Sequence, residues 1–100
     1  MARPRVELQA ILSEITDNVY FQPPTNAKIE YPCIIYKRDF ASTDFADNRP
    51  YQNSKRYQVT VIDRDPDSDI PDKVSLLQYC TFNRFYTADG LNHDVYNLFF

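Results

Sequence analysis

Gly90 is the only glycine in this 100-residue chain. Glycine enters positive φ at no steric cost, so a chain with one glycine has few positions that need a left-handed backbone. Gly-rich phosphate-binding loops are excluded on the same ground. What remains is a chain of regular elements joined by turns of other chemistry. At this length it forms one domain and buries about two-thirds of its unfolded surface, a thin margin of stability. Hydrophobic residues at 43% and charged residues at 25% place it among globular rather than disordered chains. Eight Tyr and seven Phe supply an unusual aromatic load, which has to be buried or used.

The formal charge is −3. An acidic chain gains nothing from counterion release on DNA, so specific nucleic-acid binding is not expected. A negative surface does let a polyanion slide past without sticking. No apolar run reaches the roughly 18–20 residues that span a bilayer, and the first residues lack the core of a signal peptide. Cys33 and Cys80 are too few for a disulfide framework; they read as buried small hydrophobes in a reducing compartment. Outside a cell, a bridge between them is the alternative.

Periodicity divides the chain as follows. After Pro4, the stripe Leu8, Ile11, Leu12, Ile15 and Val19 predicts an amphipathic helix of about four turns ending near Asp17–Asn18. Tyr20 and Phe21 lead into Pro23–Pro24, an extended turn. Pro32 opens a strand through Phe40, and Ala41 to Asn53 reads as a long polar loop without a period. Arg56 to Asp63 is the clearest strand, with Tyr57, Val59 and Val61 on one face and Gln58, Thr60 and Ile62 on the other. Asp69 is placed to cap a second helix from about Ile70 to Tyr79. Phe82–Thr87 and Leu91–Phe99 form a hairpin across Ala88-Asp89-Gly90. The predicted class is α+β, in the order α-β-β-α-β-β. A mostly antiparallel sheet of about four strands carries two helices on one face and leaves the other partly open.

Chemistry-bearing constellations are weak. Asp65, Asp67 and Asp69 alternate like the start of a calcium loop, but Ile70 and Leu76 stand where such a loop needs Gly and Glu. A solvated turn is the better reading, and no metal or cofactor is expected. His93 is the only histidine, and neighbouring Asp94 points to the opposite side of a strand, so no oriented catalytic pair forms. Lys37, Arg38, Arg49, Lys55 and Arg56 surround the polar segment among Tyr36, Phe45, Tyr51 and Tyr57. Asp39, Asp44, Asp47, Asp63 and Asp65 in the same region cancel their charge. Mixed sign with Tyr and Arg marks a surface that grips protein rather than DNA.

Tyr31-Pro32-Cys33-Ile34-Ile35-Tyr36, Ala46-Asp47-Asn48, Arg56 to Asp63, Asp65-Pro66-Asp67-Ser68 and Leu91-Asn92-His93-Asp94, in this order, resemble the tail-terminator (tail-completion) proteins of long-tailed bacteriophages. The likeness covers most of the chain and rests on short strings and element order, not on a catalytic signature. It implies a non-enzymatic virion component of the tail or neck, assembled in the host cytoplasm. Such proteins form a hexameric homo-oligomeric ring that stops tail-tube growth, touching the tail tube protein below and the head connector or stopper above. DNA passes through without specific binding, and no membrane is involved. Head-completion and connector proteins, tube subunits, and a monomeric protein-binding adaptor are the alternatives. In a ring, the Asp39–Asn53 excursion is expected to reach a neighbour or the tube, with Arg38, Asp39, Phe40, Phe45, Asp47, Asn48, Arg49 and Tyr51 at the interface. Asp44, Asp47 and Asp65 are expected to make an acidic lumen.

Overall fold

A computed structural model describes the backbone of residues 4–46, 49–77 and 79–100, with side chains described outside residues 40–54. Seven elements follow one another: α1 (Arg5–Ile15), β1 (Val19–Phe21), β2 (Cys33–Ala46), β3 (Arg49–Asp63), α2 (Ile70–Ser75), β4 (Cys80–Ala88) and β5 (Leu91–Phe99). The class is α+β, with a five-stranded, mostly antiparallel sheet in the order β1-β2-β3-β5-β4. Among the described residues only the short β1–β2 pairing is parallel.

The fifth strand corrects the expected four. Val19–Phe21 does not extend the first helix; Thr16 is already extended (φ −149°, ψ 153°), and the chain turns to run beside Ile34–Tyr36. β-branched Val19 and aromatic Tyr20 and Phe21 suit a pleated edge better than a fourth helical turn. Two hydrogen bonds fasten the path from β1 to β2. Glu30 donates its amide to the Tyr20 hydroxyl (3.3 Å), and Asn18 holds the Pro32 carbonyl (3.0 Å).

Alternation along β3 sorts the two faces as expected. Tyr57, Val59 and Val61 join Ile34, Tyr36, Tyr96 and Leu98 in one buried cluster with Leu8 and Leu12 of α1 and Ile70 and Val74 of α2. Both helices therefore seal the same face. Full burial of side chains such as Leu8 and Leu12 is worth about 1.5–3 kcal/mol each. α2 is shorter than expected: it stops at Ser75, and Leu76 stands 85% exposed. Its first turn is satisfied by Ser68, whose hydroxyl accepts from the Ile70 amide (3.3 Å), and not by a side-chain cap from Asp69. β4 and β5 close on Asp89 (φ 53°) and Gly90 (φ 73°), two successive left-handed residues that match the twist of a two-residue hairpin. The one glycine is spent here.

The second correction concerns residues 41–53. Residues 41–46 and 49–53 are not a loop: β2 and β3 run on as paired strands from Phe40↔Arg56 to Ala46↔Arg49. The sheet ends earlier, where Phe99 of β5 pairs with Arg56. Beyond that rung the Phe100 amide still bonds the Lys55 carbonyl (3.1 Å), but among the described residues the six β2–β3 pairs Ala41↔Lys55 to Ala46↔Arg49 have no third strand. At about 3.3 Å per residue this arm reaches roughly 20 Å past the sheet. The molecule measures 52 × 27 × 23 Å, and its radius of gyration is 14.8 Å, against about 13 Å for a compact chain of this size.

Tyr36 ties α1 to the sheet. Its fully buried ring packs on Phe21 (4.9 Å between centroids) and Tyr57 (6.0 Å). Its hydroxyl donates to Gln9 Oε1 and accepts from Arg5 Nη1 (3.0 Å). Tyr36→Phe keeps the packing and strips both α1 partners of their bond. Urea unfolding is expected to show a loss of about 1–3 kcal/mol.

Candidate functional site

The arm begins at a built junction. Arg38 pairs with Tyr57 and Phe40 with Arg56, which leaves Asp39 as an extra residue, a β-bulge on β2. The bulge brings the Asp39 carboxylate to Arg56 Nε at 3.0 Å. A second irregularity falls between Asp44↔Gln52 and Phe45↔Pro50, where Tyr51 is the extra residue on β3. Bulges raise local twist, the first where the arm leaves the sheet and the second within the arm itself.

Of the eight expected interface residues, Arg38 and Asp39 lie at the base of the arm. Phe40, Phe45, Arg49 and Tyr51 lie along its strands, and Asp47 and Asn48 fall outside the described residues. The acidic set is not drawn together. Asp44 sits on the arm opposite Gln52, whereas Asp65 follows the far end of β3. The stretch of β3 from Gln52 to Asp63 holds them apart, roughly 36 Å at about 3.3 Å per residue. Asp65 serves its own turn: its amide donates to Asp63 (2.9 Å) and its carboxylate accepts from the Asp67 amide (2.9 Å). Among the described residues no three ligating side chains gather in a form that would hold a metal ion.

A cleft of about 290 Å³ lies beside the arm base, lined by Arg5, Phe21, Gln22, Arg38, Lys55 and Tyr57. Arg5 is held there by Tyr36 and by the Phe21 ring, 4.4 Å from its guanidinium. The lining carries three cations and no carboxylate, unusual on an acidic protein.

The other unsatisfied feature is β4. It forms the edge of the sheet away from β1, and its residues from Thr81 onward are all exposed. Phe82 (58% exposed), Phe85 (55%) and Tyr86 (40%) stand on it, and Leu76 and Tyr79 (70%) precede it. Phe82 is steadied by an edge-on contact with Tyr96 at 5.6 Å. Natural edge strands are usually short, charged or broken by Pro. This one has nine residues, one charge and no Pro. Its sequence shows a strand, but periodicity does not reveal which strand ends up at an edge.

Reactive groups are few. His93 stacks on Tyr86 (4.5 Å, 12°), and its Nδ1 lies 3.1 Å from the Leu91 carbonyl. Burial raises both thiols, Cys33 to about 11 with Asp63 adding to it, so neither holds much thiolate at neutral pH. Tyr96 is pushed up to about 12, chiefly by burial, and its hydroxyl donates to the Pro71 carbonyl (3.2 Å). No family model, curated protein or solved structure matches the chain.

Asp94 faces the helix side of the sheet. Burial, then Asp72, raise its carboxyl above the ordinary range, with His93 pulling it partly back. The folded state therefore holds this proton more tightly than the unfolded chain does. That contribution to stability is complete below about pH 4 and is lost as pH rises through the raised value. Asp94→Asn should lift the urea midpoint relative to the parent at about pH 7, and the gain should vanish near pH 3.5.

Proposed function

We propose that this chain is a structural assembly component, a ring-forming tail terminator that caps a phage tail tube and joins it to the head connector. The observation that carries the proposal is the arm. A two-stranded ribbon is marginal in water, and six pairs projecting without a third strand are stabilised by landing on something. The aromatic edge of β4 supports the same reading from the other side of the molecule. Burying side chains such as Phe82 and Phe85 on a neighbour contributes about 1.5–3 kcal/mol apiece toward the cost of association. Thiols with little thiolate and a His held by stacking offer no oriented nucleophile and base, in keeping with a non-enzymatic part.

The proposed homo-oligomer is a hexamer of the virion neck, meeting the tube protein on one side and the connector or stopper on the other. Arg38, Asp39 and the residues of the arm are the proposed contact set. If Asp44 and Asp65 both face a DNA channel, the long axis of the subunit has to run along that channel, because the two lie at opposite ends of it. The alternative of a monomeric adaptor predicts no ring.

Replacing residues 42–54 by Asn-Gly joins the paired positions Ala41 and Lys55 through a two-residue turn. The shortened protein should keep its circular dichroism and melt cooperatively, form no rings in electron micrographs where the parent should, and fail to cap tails in an extract lacking the native protein. Capping that survives the deletion rejects the arm as the assembly element.

A further inference from the structure

Resting on the ring reading, we infer that the outer rim of β2 in one copy adds as a strand to the β4 edge of the next, making one sheet that runs continuously through the assembly. Three observations point to this pairing. The first is supply and demand of backbone groups. β1 covers β2 only at Ile34–Tyr36, so among the described residues the rim of β2 from Asp39 to Ala46 has no neighbour on that side. Among the same residues β4 has none on its outer side. The two rims lie at opposite edges of the sheet, so one molecule cannot join them, while a head-to-tail neighbour can.

The second is strand direction. β2, β3, β5 and β4 alternate strictly, so β2 and β4 run antiparallel within one copy. Rotation about a ring axis keeps each copy's sense, and the incoming β2 therefore meets β4 antiparallel with its helices on the same side. An overlap of about five pairs requires the neighbour to be staggered by about five residues, roughly 17 Å. Four inter-strand steps separate successive copies, roughly 19 Å. The ratio sets a strand tilt of roughly 40°, inside the range of about 35–45° found in closed barrels.

The third is charge. From Asp39 to Ala46, β2 has no cation and two carboxylates, of which Asp39 is already paired with Arg56; from Cys80 to Ala88, β4 has Arg84 and no carboxylate. Two β4 edges pairing with each other across a dyad place Arg84, the middle residue of the strand, opposite its own copy, and like charges directly opposed are destabilising. β4 is thus better matched to β2 of a neighbour than to itself.

The experiment mixes two damaged subunits. The first lacks the arm, with residues 42–54 replaced by Asn-Gly, and keeps β4. The second is Phe82→Pro, which keeps the arm. The Phe99 amide bonds the Tyr79 carbonyl, so residues 79 and 81 face β5 while 80 and 82 turn their amides outward. Proline at 82 therefore removes an outward donor and spares the ladder to β5. Native mass spectrometry should show oligomers for the parent, monomers for each variant alone, and a one-to-one heterodimer on mixing. Arg84→Glu, a surface change independent of proline, should weaken parent-type assembly at least tenfold. Dimers of the arm-deleted chain alone would mean that β4 pairs with β4, and overturn the inference. Parent-like oligomers of both Phe82→Pro and Arg84→Glu would overturn it while leaving the ring standing. A parent that stays monomeric at every concentration removes the ring and the strand pairing together.

Discussion

A mismatch of strand lengths governs this molecule. β2 and β3 are 14 and 15 residues long, whereas β5 and β4 have nine each and β1 has three. Backbone amides and carbonyls require partners, and a sheet satisfies them only as far as its shortest neighbour reaches. One end of the molecule is consequently a five-stranded sheet sealed by two helices, and the other a ribbon two strands wide. Ordinary packing accounts for the first end. Among the described residues no strand completes the second.

The sealed end shows how little polar chemistry holds it. No polar or charged residue is buried among the described residues, and no buried side-chain nitrogen or oxygen lacks a partner. Tyr36, Tyr57 and Tyr96 are the polar rings of the buried cluster, and of these it is Tyr36 whose hydroxyl lies between Gln9 and Arg5 of α1. The position of α1 is thereby fixed in direction as well as in depth, because Leu8 and Leu12 alone would tolerate sliding along an apolar face.

Much of this end was legible in the residues. The Leu8, Ile11, Leu12, Ile15 stripe named the first helix, the β-branched run at Val59–Ile62 named the central strand, and Asp89-Gly90 named the hairpin turn. The misreadings have physical causes. Ser42-Thr43-Asp44 and Gln52-Asn53-Ser54 pair across the arm, yet a ribbon with no sheet face to cover has no need of apolar alternation, so its strands read as loop. β1 is too short to show a period of two, and its Val19 fits a helical stripe by accident. The arm was still singled out, by its length without a period and by a mixture of Arg, Asp, Tyr and Phe of the kind found at protein contacts. The aromatic edge went unseen since Phe82, Phe85 and Tyr86 suit a buried strand equally well, and only the strand order exposes them.

The sheet order β1-β2-β3-β5-β4 also carries a lesson about synthesis. β5 is the last element of the chain, and it lies inside the sheet between β3 and β4. While the ribosome is still delivering it, β3 offers an open flank and the aromatic β4 has nothing to lie against. Nascent chains emerge at about 5–20 residues per second, and unpaired strand edges exposed in that interval invite aggregation. The nine residues that lock the structure arrive after every strand they join, so a polypeptide halted shortly before Leu91 has its helices and its long hairpin but cannot close its core.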